Sequence, residues 1–339
     1  MKILILGGTR FFGYFSALAL AEAGHRVTVF TRGRREADLP EPIEHAIGDR
    51  ENESDLGRLA RAGPWDAVWD NISYTAAHAE AAVRAFGGRC GLFLHTSTLA
   101  VYTVCEGIVS PYREADFDAG RPMEERRDVY PYAYGLDRRA GERAVRQAHE
   151  ESGFPVVVLR LPVVLGPRDY SLRAWAYWRR LLDGGPLILP DGGAQMHRLV
   201  YSGDVVRAVV AILEAGAVHA GHAFNLAGRE IFSLSDFVRI SARLLDLHPQ
   251  VVAVPQDVLE PAGLPPDEIS PWHPWGNHLQ EIEKARARLG LEPTPLLDWL
   301  PETIEWHRAE RADAEPPGWA HRAKELSFAN RWRASVSDL

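Results

Sequence analysis

Tyr134 and Arg138 form a pair of side chains whose types and spacing could do chemistry. The stretch YPYAYGLDRRAGERAVRQAHEESG around them is rich in Ala, Arg and Glu and predicts a helix, on which residues four apart share a face. A fixed positive charge near a phenol favours the phenolate, so Tyr134 could give or take a proton beside a carbonyl or an alcohol. Taken alone, this spacing is more typical of a surface pair that does no chemistry.

A second group of candidates is the run of hydroxyl side chains at Thr96, Ser97 and Thr98. They follow the apolar stretch GLFL, which predicts a buried strand that ends at His95. Polar residues at the carboxyl end of a buried parallel strand usually face a crevice, where ligands bind. The alternative is that these hydroxyls only cap the loop that follows.

The opening residues, MKILILGGTRFFG, predict where a dinucleotide would bind. Residues 2–6 are apolar, as in a strand buried on both faces of a parallel sheet, and a helical pattern follows the glycines. A strand, a glycine-rich turn and a helix together hold a pyrophosphate on the free N–H groups of the helix N-terminus. The predicted contacts are Gly7, Gly8, Thr9, Arg10, Phe11, Phe12 and Gly13.

Two features of this turn leave alternatives open. Arg10 stands where the usual pattern has a middle glycine, so its side chain either contacts phosphate or points to solvent. A tight turn without any ligand is the alternative for the whole segment, and the flanking strand and helix argue against it.

The end of the second predicted strand, HRVTVF, indicates the cofactor. It continues as TRGRR, with no acidic residue to accept from the ribose hydroxyl as in an NAD site. The guanidinium groups of Arg32 and Arg34, with Arg35 beside them, would match a 2′-phosphate. The sequence therefore favours NADP over NAD, and the alternative is a solvated basic loop.

Further candidates for cofactor binding follow other predicted strands. Asp49 and Arg50 end a short strand, and Asp49 could accept from an adenine amino group or serve only as a turn or cap residue. Asn71 follows a strand at 67–69, at the edge where ligands bind in open α/β sheets, and Thr96 follows the next strand.

The bulk composition bounds the classes of partner. The chain has 339 residues, a net charge of −8 and two cysteines, Cys90 and Cys105. The acidic balance argues against a nucleic-acid surface, and the absence of a long apolar run argues against a membrane span. Two cysteines make no disulfide framework or metal spacing, which suits the cytoplasm.

Seven segments of the chain, taken together and in order, resemble the extended branch of the short-chain dehydrogenase/reductase superfamily, the NAD-dependent epimerase/dehydratase type. The glycine turn is similar to that of an atypical subgroup that includes the chloroplast stem-loop-binding proteins. The resemblance covers roughly 1–305 and rests on GGTRFFG at 7–13, GDR at 48–50, Asp70-Asn71, HTSTLAVY at 95–102, YGLDRRAGE at 134–142, LRLPVVLGP at 159–167 and HRLVYSGD at 197–204.

The resemblance implies an α/β fold, a Rossmann-type doubly wound parallel sheet with a smaller, mostly helical C-terminal substrate domain. We expect residues 1–162, with a returning strand near 223–228, to bind the dinucleotide. Residues 163–222 and 229–309 would form the substrate domain, and 310–339 a C-terminal tail. Family habit also implies a homodimer.

By position, the resemblance implies roles for individual residues. Thr98 would be the catalytic hydroxyl that bonds the reacting oxygen, and Tyr134 the acid/base. Arg138 stands where the family has a lysine, a departure that is not conservative, because a guanidinium is longer and planar. Pro162 and Val164 would pass near the nicotinamide.

In the second domain, Arg173, His197 and Arg198 would suit a substrate phosphate. The function implied is an NAD(P)-dependent oxidoreductase or epimerase/dehydratase that acts on a small molecule, either a nucleotide sugar or a natural-product intermediate. Because Arg138 replaces the lysine, the alternative is a non-catalytic nucleotide-binding or RNA-binding protein on the same fold.

Overall fold

The computed structural model of the protein describes residues 1–34, 38–123, 132–272 and 277–337, so Arg35 lies outside the described residues. The chain divides into two compact units. The first contains Met1–Val164, Val200–Gly228 and Leu279–Thr294, and the second contains Leu165–Leu199, Arg229–His278 and Pro295–Leu339.

The first unit is built on a parallel sheet, which confirms the predicted fold class. Its seven described strands are β1 Lys2–Leu6, β2 Arg26–Thr31, β3 Glu44–Ile47, β4 Trp65–Asp70, β5 Cys90–Thr98, β8 Val156–Leu161 and β13 Ala223–Asn225. They lie in the spatial order β3-β2-β1-β4-β5-β8-β13, so the strand order reverses beside β1, as in a doubly wound fold.

Helices cover both faces of this sheet because its strands are apolar on both sides. One face packs against α1 and α8, through residues such as Leu20 and Val209, and the other packs against α2, α3 and α6, through Leu59, Phe86 and Val145. The helices of this unit are α1 Phe11–Glu22, α2 Glu53–Arg61, α3 Ala76–Phe86, α4 Ala100–Thr103, α5 Asp116–Ala119, α6 Tyr132–Ser152, α8 Ser202–Ala215 and α12 Glu283–Leu289.

The second unit is mostly helical, as predicted for the C-terminal region. Its helices are α7 Arg173–Leu182, α9 Leu234–Leu244, α10 Gln256–Leu259, α11 Pro266–Ile269, α13 Leu296–Glu310 and α14 Arg322–Ser337. Short strands complete the chain: β6 Cys105–Glu106, β7 Arg121–Pro122, β9 Val164–Leu165, β10 Leu187–Pro190, β11 Met196–His197, β12 Val200–Tyr201, β14 Phe232–Ser233 and β15 Val251–Val254.

The predicted domain assignment differs from the structure at three segments, of which the first is Leu279–Thr294, expected in the substrate domain and found in the first unit, where α12 lies. The segment 200–222, expected in the substrate domain, lies in the first unit, because the apolar face of α8 packs on α1 against the sheet. The segment 310–339, expected as a docked or partly disordered C-terminal tail, is part of the second unit, where Glu325 of α14 forms a buried ion pair with Arg180 of α7.

Candidate active site

The glycine turn after β1 has the geometry of an anion-binding helix start. Gly7 has a φ of 82°, which favours glycine, and a Cβ there would lie 2.3 Å from the Ile72 side chain. A Cβ on Gly13 would lie 3.1 Å from the Gly7 carbonyl oxygen, so α1 packs closely on the turn. Arg10 at the N-cap makes no side-chain cap, and the first turn of α1 contains no acidic residue. These features fit a pyrophosphate on the helix N-terminus.

Phe11 adds a second observation at the same turn. It is the first residue of α1 and has a φ of 52°, a left-handed conformation that is rare for a bulky side chain. Such conformations cluster at ligand-binding turns, where the surrounding structure holds them in place. Phe12, the next residue, lies against Trp69 of β4 with ring centroids 6.4 Å apart.

Residues at the end of β4 hold the glycine turn in place. Asn71 donates from Nδ2 to the Gly7 carbonyl oxygen at 3.2 Å. Asp70, fully buried, accepts from Arg50 Nη1 at 2.8 Å, and Arg50 Nη2 donates to the His78 carbonyl oxygen at 2.7 Å. Arg50 is expected to bind the cofactor, and the structure places its guanidinium in the interior, in an ion pair with Asp70.

The three hydroxyl side chains at the end of β5 differ in burial and in hydrogen-bond partner. The strand runs to Thr98 rather than ending at His95, so Thr96 and Ser97 are buried within it. Thr96 Oγ1 accepts from Trp69 Nε1 at 2.8 Å, and Ser97 Oγ donates to Glu142 Oε2 at 2.6 Å. Thr98 is half-buried, and its Oγ1 accepts a long bond from the Ala100 amide at 3.3 Å. Of the three, Thr98 alone is open to solvent enough to meet a substrate.

Helix α6 brings Tyr134 to the end of β5. Gly135 packs so closely on α4 that a Cβ there would lie 2.7 Å from the Ala100 carbonyl oxygen. Ala100 follows Thr98 by two residues, so the turn that carries Tyr134 lies beside the strand end that carries Thr98. Tyr134 is half-buried, and its ring centroid lies 5.9 Å from the guanidinium carbon of Arg138.

Arg138 is buried and holds two strand ends together. Its Nη1 donates to the Ser73 carbonyl oxygen and its Nη2 to the Thr96 carbonyl oxygen. Its guanidinium also lies 5.4 Å from the ring centroid of Tyr74. Among the described residues, no carboxylate pairs with Arg138. The positive charge that the sequence placed beside Tyr134 is therefore present and is not neutralised by an ion pair within that set.

A functional-site contact that sequence reasoning missed lies behind these residues. Arg160 of β8 and Glu142 of α6 are both fully buried, and Arg160 Nε donates to both Glu142 oxygens at 3.1 Å. Burial opposes the positive charge of Arg160, but the Glu142 carboxylate raises the pKa of Arg160 above its ordinary value. An acid eight residues after the candidate tyrosine and an arginine inside an apolar strand were the signals available in the sequence.

His95 is a buried base beside the same cations. Burial, and then the charge of Arg138, lower the pKa of His95 to about 3. Within the described ranges, neither ring nitrogen has a hydrogen-bond partner. The folded protein therefore keeps His95 neutral at physiological pH.

This shift predicts a loss of stability in acid. The unfolded chain takes up this proton near the ordinary pKa of about 6.5, so the contribution is complete above that pH and is lost as the pH falls. We expect the free energy of unfolding of the wild type, relative to His95→Gln, to fall by about 3 kcal/mol between about pH 7 and pH 4. Urea unfolding measures it, and the exposed His248→Gln is the matched control; equal slopes for the wild type and His95→Gln would contradict the prediction.

The remaining cofactor candidates lie around the same edge of the sheet. Arg32 and Arg34 are exposed just after β2. Asp49 is half-buried, and its Oδ1 accepts from the Glu51 amide at 3.1 Å, so it also serves as a turn residue. Pro162 and Val164 follow β8, whose Leu161 stands beside Thr98 in the strand register. The structure thus places Pro162 and Val164 after the strand that neighbours Thr98.

The three substrate candidates, Arg173, His197 and Arg198, lie in the part of the second unit that spans Leu165–Leu199. Arg173 begins α7 and donates from Nε to Ser171 Oγ at 3.3 Å. His197 is buried, with its ring centroid 5.8 Å from that of Trp272, whereas Arg198 is half-buried. Arg198 is therefore better placed than His197 to meet a ligand.

Comparison with known proteins supports a single family. A family model described as the NAD dependent epimerase/dehydratase family matches residues 3–227. The chain is 25% identical over 256 residues to the chloroplast stem-loop binding protein of 41 kDa b of Arabidopsis thaliana, covering 71% of this chain and 62% of that protein. It is 29% identical over 241 residues to the 2′-dehydrokanamycin reductase of Streptomyces kanamyceticus, covering 68% of this chain and 65% of that protein. Both alignments thus span less than two thirds of the relative's own length.

Solved structures show the same fold. UDP-glucose 4-epimerase of Thermotoga maritima, solved with UDP-glucose, superposes with a TM-score of 0.73 at 19% identity and covers 91% of this chain and 99% of its own. UDP-glucuronic acid 4-epimerase of Bacillus cereus, solved with NAD, has a TM-score of 0.69 at 22% identity and covers 93% and 99%. Within the described ranges, no helix is long and apolar enough to span a membrane.

Proposed function

The chain belongs to the NAD dependent epimerase/dehydratase family, and we propose that it is an NADP-dependent reductase or epimerase/dehydratase in which Tyr134 is the acid/base. The observation that carries the proposal is the place of Tyr134, one residue before the Gly135 contact with Ala100 and beside the Arg138 charge. A half-buried phenol, a half-buried hydroxyl at Thr98 and a nearby cation are the groups that proton transfer to a carbonyl or carbinol oxygen requires.

The residues of the glycine turn fit a dinucleotide. Gly7 gives the turn its left-handed bend and Gly13 lets α1 pack closely on the turn, so the N–H groups at the start of α1 are directed at one site. Asn71 holds the turn in place through the Gly7 carbonyl oxygen. When bound, NADP supplies the hydride chemistry that a protein side chain cannot.

The chain's own residues would then handle the proton and the substrate oxygen. The Thr98 hydroxyl donates a hydrogen bond to the reacting oxygen, and Tyr134 gives that oxygen a proton or takes one from it. The buried Arg138 guanidinium, whose carbon lies 5.9 Å from the centroid of the Tyr134 ring, would stabilise negative charge on the phenol during the transfer.

The preference for NADP over NAD rests on Arg32 and Arg34. Both are exposed after β2, where an acid would select NAD. We expect the double variant Arg32→Ala/Arg34→Ala to bind NADPH about 100-fold more weakly, since two bonds to a charged group, at about 1.5 kcal/mol each, are lost. NADH affinity should not change, and Arg61→Ala, an exposed arginine on α2, is the control.

Fluorescence titration of the wild type and both variants with NADPH and NADH measures these affinities. If the wild type binds the two cofactors equally well, the argument from Arg32 and Arg34 fails, and NAD, which is present in the Bacillus cereus structure, becomes the better candidate.

The substrate proposed is a nucleotide sugar or a related glycoside. The Thermotoga maritima enzyme was solved with UDP-glucose, and the Streptomyces kanamyceticus relative is named as a reductase of a kanamycin derivative. In the second unit, Arg173 and Arg198 have the charge to bind a phosphate. An assay of the protein with NADP(H) and a panel of UDP- and dTDP-linked sugars and aminoglycoside ketones tests the proposal: turnover of one class supports it, and no turnover by a protein that binds NADPH opposes it.

A second candidate function follows from Arg138. Its two terminal nitrogens both bond backbone carbonyl oxygens, so the guanidinium also has a structural task, joining the ends of β4 and β5. A protein that binds the dinucleotide without turning over any substrate would fit this arrangement. The substrate panel distinguishes these two candidate functions.

We also propose that the protein is cytoplasmic and forms a homodimer.

A further inference from the structure

A buried polar network lies behind Thr98 and Tyr134, and its centre is the ion pair of Glu142 and Arg160. Both side chains are 0% exposed, and Arg160 contacts Glu142 through Nε and Nη2. Ser97 Oγ donates to Glu142 Oε2 at 2.6 Å. One carboxylate on α6 therefore bonds both β8 and β5, the two strands whose ends flank the candidate site.

The positions of these residues connect the network to the site. Glu142 follows Tyr134 by two turns and Arg138 by one turn of α6. Ser97 directly precedes Thr98, and Arg160 stands across from Ser97 in the strand register. A shift of Glu142 would therefore move the helix that carries Tyr134 relative to the strand that carries Thr98.

The far side of Arg160 is held as well. Its Nη1 donates to the Tyr102 hydroxyl and to the Glu114 carbonyl oxygen, the latter at 3.1 Å. The Tyr102 hydroxyl in turn donates to Asn225 Oδ1 of β13 at 2.8 Å. Arg160 thus donates from all three of its side-chain nitrogens, Nε, Nη1 and Nη2, and these bonds fix the ion pair in one geometry.

Stability is a weak reason for such a pair. Removing two charges from water costs several kcal/mol, and buried ion pairs are often no more stabilising than apolar side chains of similar volume. What a fully bonded pair offers is a defined geometry among the elements that it joins. Here those elements are α6, β5 and β8, which together carry Tyr134 and Thr98.

We propose that Glu142 is a positioning residue, which through Arg160 and Ser97 holds α6 against β5 so that Tyr134 faces Thr98. This inference rests on the proposed function for its catalytic consequence. Glu142 does not meet the substrate. Its effect is on the distance and angle between two groups that do.

The test compares Glu142→Gln with a matched control. Glu325→Gln breaks the pair of Glu325 and Arg180 in the second unit, which is equally buried, with exposures of 0% and 1%. Both variants should lower the Tm, since each leaves a buried guanidinium without its carboxylate. Below both Tm values, only Glu142→Gln should lower kcat, by about 10- to 100-fold with little change in KM, as a misplaced catalytic group does.

A second readout does not depend on turnover. In the holoprotein labelled with [13Cζ]tyrosine, the Tyr134 resonance is assigned by its loss in Tyr134→Phe. We expect Glu142→Gln to shift or broaden this resonance and Glu325→Gln to leave it unchanged. An unchanged Tyr134 resonance in folded Glu142→Gln would overturn the proposal. If the wild type turns over no substrate, the proposed function fails, and the resonance still tests the positioning.

A double variant covers the case in which Glu142→Gln does not fold. Glu142→Leu/Arg160→Met replaces the pair with apolar side chains and leaves neither member as an unpaired buried charge, so its Tm should stay close to that of the wild type. We expect the same loss of kcat and the same change in the Tyr134 resonance. A double variant with wild-type kcat and an unshifted resonance would show that the pair has no positioning role.

Discussion

Tyr134→Phe is expected to lower kcat by about 10²- to 10⁴-fold, the usual loss when a positioned general acid/base is removed. The affinity for NADPH and the Tm should stay near the wild-type values, because phenylalanine keeps the ring and its contact with the Arg138 guanidinium. Steady-state kinetics with whichever substrate the panel identifies, together with a cofactor titration, measure both effects.

Tyr74→Phe is the matched control for this prediction. The centroid of the Tyr74 ring lies 5.4 Å from the guanidinium carbon of Arg138, slightly closer than that of the Tyr134 ring. Tyr74, however, follows β4 and is not on α6. It should keep kcat within about threefold of the wild type, as a side chain outside the reaction does. If Tyr134→Phe kept full activity, Tyr134 would not be the acid/base, and a comparable loss in both variants would point to the shared cation instead.

Gly13→Val is expected to weaken NADPH binding by about 100-fold. Its Cβ would lie 3.1 Å from the Gly7 carbonyl oxygen and 3.2 Å from Asn71 Nδ2, so the branched side chain must push α1 away from the turn. Loss of two charge-assisted bonds from N–H groups to phosphate, at about 1.5 kcal/mol each, corresponds to this factor. Isothermal titration calorimetry with NADPH measures it.

Gly57→Val is the control for the glycine variant, since it makes the same change in a helix away from the turn. A Cβ at Gly57 of α2 would meet only the end of the Arg61 side chain, at 3.3 Å. This variant should bind NADPH as the wild type does. A folded Gly13→Val protein with wild-type affinity would show that the glycine turn is not where the dinucleotide binds.

The glycine turn after β1 could be predicted from the sequence because all its determinants are local. An apolar strand, glycines at 7, 8 and 13, and a helical pattern lie within about twenty residues, and the structure has β1, a positive φ at Gly7 and α1 there. The parallel sheet was predictable for the same reason, since apolar runs alternate with helical patterns along the chain.

The hydroxyls of β5 could not be assigned in the same way. Their roles depend on which face each residue takes and on what lies opposite, namely Trp69 for Thr96 and Glu142 for Ser97. Extending the strand by three residues, to Thr98, buried two of the three hydroxyls. The partner of Arg50 was hidden similarly, because Asp70 lies twenty residues away in the sequence and the pair forms only in the folded sheet.

The domain boundaries depended on long-range packing as well. The segment 200–222 has no local feature that places it in either unit, and it joins the first because α8 covers the α1 face of the sheet. The polar composition of 310–339 suggested a tail, but Arg322 and Glu325 are buried there, and they pair with Asp183 and Arg180 respectively. Buried ion pairs of this kind have polar sequences and are read from sequence as surface.

A crystal structure of the protein with bound NADP and its substrate or product would show whether the glycine turn and Tyr134 belong to one active site. We expect the pyrophosphate against the backbone N–H groups at the start of α1, and the nicotinamide within reach of the Tyr134 phenol. A dinucleotide bound elsewhere on the chain, or a Tyr134 side chain directed away from the nicotinamide, would contradict this expectation.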